Sequence, residues 1–118
     1  MAETKVSEDL NPATVRYWQY RAAQSAHDAL SYEKALEDAT ISDEEIDPLF
    51  DRRAQTFHEL VFTPTDDLNA LRDKLKAFTI EEAHEDVNAR EIIHVLFADV
   101  ERIREKLGSE ERRRERGA

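Results

Sequence analysis

From Val15 to Leu107, apolar residues recur at spacings of three, four and seven, the pattern of helices that bury one side. Val15, Trp18, Ala22, Ala29, Tyr32 and Leu36 form the first stripe. Asn11-Pro12 precedes it, an N-cap residue with a proline at the first helical position. No glycine or proline interrupts the run, so the spacing predicts one helix reaching to about Ala39. Trp18 is placed in the core by this stripe. Tyr17 and Tyr20 fall outside it and are read as exposed side chains able to anchor an interface.

A joint follows over Thr40–Pro48, with two possible helix starts. Ser42 and Glu45 have capping-box spacing, while Asp47-Pro48 offers the other start. The second stripe is Ile46, Phe50, Ala54, Phe57 and Val61. It ends at Thr63-Pro64, where the residue before proline is driven away from helix. Thr65-Asp66-Asp67 then caps a third helix with the face Leu68, Leu71, Leu75 and Phe78. After a polar stretch over 79–87, Asn88 opens a fourth helix carrying Ile92, Ile93, Leu96, Val100, Ile103 and Leu107, with Gly108 as its C′ residue.

These elements predict an all-α fold. Two long helices form an antiparallel hairpin, covered by two shorter helices in a four-helix bundle-like arrangement. Residues 1–10 read as a flexible N-terminus, 11–108 as a single helical domain, and 109–118 as a polar tail, partly helical or disordered. The first helix, rich in aromatics, leaves room for a homodimer seam.

Composition narrows the function classes. Charged residues make up 37% of the chain and the formal net charge is −10, which disfavours direct nucleic-acid binding and anionic membranes. Cysteine is absent, which removes disulfides, thiolate nucleophiles and cysteine-bound zinc. No run approaches the apolar length of a membrane span and the start lacks a signal-peptide pattern, so a cytoplasmic protein is expected.

The pattern Glu-x-x-His occurs twice, as Glu81 with His84 and Glu91 with His94. On a helix such pairs share a face, and di-metal carboxylate bundles use them from two different helices. Here they flank a predicted helix break, and Asn88 with Glu91 matches a capping box. Capping is therefore preferred to metal binding, and no cofactor is expected. His58-Glu59 and His27, whose neighbour Asp28 should point elsewhere, are read as structural, and no serine stands on a turn suited to nucleophilic attack. No catalytic residue is assigned.

The stretch 33–51 is strongly acidic. Asp43, Glu44, Glu45 and Asp47 serve either as helix-start acids or as a docking patch that imitates nucleic-acid phosphates. In the tail, Glu110, Glu111 and Glu115 largely cancel Arg112, Arg113, Arg114 and Arg116, so a solvated extension is expected.

The stretch PLFDRRAQTFHELVFTPTDDLNALRDKLKAF resembles a diffuse group of short all-helical proteins of alphaproteobacterial genomes and prophages with no assigned activity. The resemblance rests on Thr63-Pro64, Asp67-Leu68, Leu71, Lys74-Leu75, the 79–87 loop and the helix over 88–107. It implies a phage or mobile-element accessory protein with a hairpin architecture. The expectation is a small acidic helical protein that binds a protein partner without catalysis, either as a monomer or as a homodimer. The alternatives are an acidic nucleic-acid-mimicking inhibitor of a host enzyme and, third, a di-metal carboxylate bundle.

Overall fold

The computed structural model describes residues 11–117; the predicted flexible segment 1–10 lies outside them. Among the described residues the chain is all-α, with four helices: α1 (Pro12–Leu36), α2 (Asp43–Phe62), α3 (Leu68–Ile80) and α4 (Ala89–Gly117). A short 3₁₀ turn over Ala83–Glu85 lies between the last two.

Local chemistry accounts for the boundaries. Asn11 caps α1 by accepting the Ala13 N–H, and Pro12 occupies the first turn. Helix α1 stops three residues before the expected Ala39. Asp38 there adopts a left-handed backbone (φ 51°), its N–H donating to Ala35 O and the Ala39 N–H to Lys34 O. This is a Schellman ending with aspartate in the position glycine favours. The contest at the second helix goes to Ser42. Its Oγ accepts the Glu45 N–H and donates to the Glu45 carboxylate, leaving Pro48 inside the helix. Thr63, ahead of Pro64, is extended and ends α2; Asp67 starts α3 by accepting the Ala70 N–H.

Two boundary expectations are corrected. The Asn88–Glu91 capping box does not form: Asp86 accepts the Asn88 N–H at 2.7 Å, reaching it from two residues upstream. Gly108 does not end α4, which continues through it to Gly117. At 29 residues α4 is the longest helix and not a short cover. Glutamates and arginines after Gly108 favour helix over turn, and one glycine costs only about 1 kcal/mol of helix propensity.

Arg16 meets Glu59 at 2.9 Å, Arg53 meets His27 at 3.1 Å and Lys34 meets Glu45 at 3.1 Å. Residue numbers rise on one helix as they fall on the other, so α1 and α2 form the antiparallel hairpin. Helices α3 and α4 are antiparallel too, tied by Lys74 with Asp99 and by Asp66 with Lys106. The core joins Tyr17, Tyr20, Phe57, Leu60, Val61, Leu71, Ala77, Ile92, Leu96 and Ile103. The assembly is a slab, 67 × 44 × 18 Å in Cα extent. Helices pack 8–10 Å apart, so it is two layers deep at most.

Helix α1 is turned by about one residue step from its predicted face. Ala13, Tyr17, Tyr20 and Ala23 point inward, while Trp18 is 65% exposed. The expected roles are therefore reversed: Tyr17 and Tyr20 are core residues and no interface anchors. A buried tyrosine needs a partner for its hydroxyl, and each has one, Arg21 for Tyr17 and Glu81 for Tyr20. Trp18 contributes only an edge contact to Tyr17. Helix α3 is turned likewise: Ala70, Leu71, Lys74 and Ala77 face inward, leaving Leu68 and Leu75 outside.

Candidate functional site

Two polar clusters lie in the interior. In the first, Lys74 of α3 and Asp99 of α4 are both fully buried, with Nζ 2.5 Å from Oδ2. Lys74 also donates to Val61 O at 3.2 Å. Asp99 Oδ1 accepts the Thr65 N–H at 3.0 Å and Arg102 at 3.1 Å. The pair thus stitches the end of α2, the α2–α3 link, α3 and α4 to one point. Burial pushes the Lys74 ammonium below its usual value, an effect that the bond to Asp99 only partly offsets.

The second cluster joins α1, α2 and the end of α3. Tyr20 donates to Glu81 Oε2 at 2.5 Å, and Arg53 grips the same oxygen through Nε at 2.9 Å and a terminal nitrogen at 2.7 Å. Burial, then the bond to Glu81, raises the Tyr20 hydroxyl well above its usual range. For Arg53, burial alone would lower the guanidinium. The bond and charge of Glu81 outweigh it and hold the value above normal. Both clusters are closed, every charged group facing a partner.

The candidate residues of the sequence are dispersed. Glu81 is committed to Tyr20 and Arg53, and His84 is exposed beside Glu85. Glu91 and His94 sit on the outer side of α4, where they line a shallow hollow of about 390 Å³ with Phe62, Arg90 and Val95. Among the described residues no three His, Asp or Glu side chains converge as a metal site would require. His58 lies 3.3 Å from Asp86 and stacks on Phe62. His27 meets Arg53 and, contrary to expectation, approaches Asp28 at 3.7 Å, because Arg53 draws both together.

Asp43, Glu44, Glu45 and Asp47 are exposed at the start of α2. Three of them occupy the first turn, where the helix dipole favours acids. Glu45 is further engaged by Ser42 and by Lys34, whose ammonium is raised chiefly by that hydrogen bond.

What sequence reading missed is the outer face of α4. Ile92, Leu96, Asp99 and Ile103 point into the fold. One residue on, Ile93, Phe97, Val100 and Leu107 form a second row of the same spacing, and all are exposed, Phe97 by 64%. Leu71, Leu75 and Phe78 of α3 border Ile93, Phe97 and Val100, enclosing with His84 a groove of about 420 Å³ whose lining is almost wholly apolar. The signal was present: Ile92–Ile93 and Leu96–Phe97 are adjacent pairs, making a stripe too wide for one neighbouring helix to cover.

Comparison with protein-family models, curated proteins and solved structures gave no match to this chain. Among the described residues no helix is long and apolar enough to cross a membrane.

Proposed function

We propose that this chain is a small acidic protein-binding module without catalytic chemistry, working in the cytoplasm and presenting its α3–α4 face to a protein partner. The observation that carries the reading is the exposed row Ile93, Phe97, Val100 and Leu107 beside Leu75. Contiguous apolar surface of this kind, on a soluble helix, marks a site of association. The buried Lys74–Asp99 pair lies behind it and fixes α3 against α4, so the face is rigid before a partner arrives. Tyr20, Arg53, Lys74 and Lys34, the side chains whose proton affinities are displaced, are each held by a carboxylate of the fold. A role as a phage or mobile-element accessory protein rests on the sequence resemblance alone. Phosphate mimicry draws no support from the acids of α2, which serve their own helix start.

The test compares the chain with its Phe97→Asp variant, each immobilised and exposed to bacterial extract containing soluble copies of the chain. Proteins retained by the first, copies of itself included, should be lost from the second. Equal retention, or none by either, overturns the reading. Phe97 is mostly exposed, so the substitution leaves the helices intact.

A further inference from the structure

Resting on that reading, we propose that the occupant of the α3–α4 face is a second copy of this chain. It lies antiparallel, so that α4 pairs with the partner's α4 about a two-fold axis between Phe97 and Val100.

The outer row of α4 has the repeat of a coiled-coil seam. Ile93, Phe97, Val100, Arg104 and Leu107 follow one another at steps of four, three, four and three, and Arg90 extends the row by one step. A seam with this repeat is matched by another helix of the same repeat, and the copy's own α4 is such a helix. The inner row Ile92, Leu96, Asp99 and Ile103 is already occupied by the rest of the fold, so α4 carries two seams and has filled one.

Charge selects the direction. In a parallel pair, residues of the seam face their own equivalents, so Arg90 and Arg104 would each oppose the same arginine of the partner within the contact. Like charges there are unfavourable. In the antiparallel pair centred between Phe97 and Val100, Phe97 meets the partner's Val100 and Ile93 meets the partner's Arg104. The aliphatic stem of that arginine covers the isoleucine while its head reaches the partner's rim. At the rim, His94 comes beside the partner's Glu101. Each contact occurs twice by symmetry. Among the described residues Arg104 is held by Glu101, at 3.3 Å on the surface, a contact weak enough to give way.

The extent is also suitable. From Arg90 to Leu107 the seam runs about 26 Å at 1.5 Å per residue. With α3 alongside, the face is about 20 Å wide, a footprint of roughly 500 Å² in projection. Allowing for surface relief, this is of the order of the ~800 Å² that each partner gives to a stable interface. Two such faces in contact make a bundle of α3, α4 and their equivalents.

Sedimentation equilibrium over a wide concentration range tests this directly. The wild-type chain should sediment at twice its mass, and Phe97→Asp at the mass of one chain with unchanged helical circular dichroism. His94→Glu should weaken association by about tenfold or more, and adding Glu101→Arg to it should restore most of that loss. A wild-type chain that stays monomeric overturns the second copy. Retention of a different protein that depends on Phe97 would then leave the binding-module reading standing. Its absence would remove both. Dimerisation without rescue by the exchanged His94→Glu/Glu101→Arg pair overturns the antiparallel arrangement.

Discussion

Lys74 and Asp99 touch at 2.5 Å with neither side chain reaching solvent, and their remaining partners are unequal. Asp99 keeps the Thr65 N–H and Arg102 if Lys74 is removed, whereas Lys74 keeps only Val61 O if Asp99 is removed. Breaking one side of a buried ion pair costs about 3–5 kcal/mol. Asp99→Leu should therefore fall at the upper end of that range, and Lys74→Met at or below its lower end. The double variant should be less damaged than Asp99→Leu alone. Urea denaturation of the three variants measures this order; an equal loss for both singles would show that the secondary partners carry little.

Tyr20 and Lys74 impose opposite slopes on alkaline stability. Tyr20 ionises at about 10.0 in the unfolded chain and well above that in the fold, chiefly through burial, so the folded state holds the proton longer. Its contribution is complete below pH 10 and is lost as pH rises beyond it. Lys74 is depressed in the fold, also chiefly by burial. The unfolded chain then binds the proton more tightly below about 10.5, and stability rises with pH across that window. Tyr20→Phe should cost about 1.5–3 kcal/mol near neutrality, the worth of a hydrogen bond to a charged acceptor. The deficit should shrink above pH 10, as wild-type stability falls and the variant's does not. Urea midpoints taken from pH 8 to the alkaline limit check both statements.

Asp38 and Glu82 adopt left-handed backbones, with φ of 51° and 50°, where an L side chain is strained. Both lie just past helix C-termini, where a negative charge also opposes the dipole. Aspartate tolerates this conformation better than glutamate, because its short side chain can bond locally. Glu82→Gly should therefore stabilise by about 1 kcal/mol and Asp38→Gly by about half that, after allowance for the greater freedom of glycine when unfolded. Thermal melts of the two variants decide the matter, and a fall in melting temperature for either would contradict the account.

The fold class was legible in the sequence because it depends on periodicity and on end signals. Asn11-Pro12, Ser42 with Glu45, Thr63-Pro64 and Asp67 each do what their chemistry dictates within a few residues of chain. The facing of each helix was less legible. Trp18 and Tyr20 differ by two positions, and choosing between them requires knowing that Glu81 waits sixty-one residues away for a hydroxyl. Lys74 was hidden for the same reason: a lysine between Leu71 and Leu75 reads as solvated until Asp99 is brought opposite it. The outer row of α4 was visible as sequence and misread as structure. Ile93, Val100 and Leu107 were assigned to one face with Ile92, Leu96 and Ile103, although the two sets point about 100° apart.

Helix α4 is continuous by geometry, yet its last inward-facing apolar residue is Ile103, and Gly108 follows within five positions. Beyond that glycine no described residue is buried, and Arg112 donates to Ser109 within the helix itself. Isolated helical turns of that length are marginal in water. Amide exchange should therefore divide the helix: the longer part up to Gly108 is expected to open with the fold, and the shorter stretch beyond it far more often. Protease cleavage at Arg112–Arg116 would then sample that shorter stretch and not the rest of the helix.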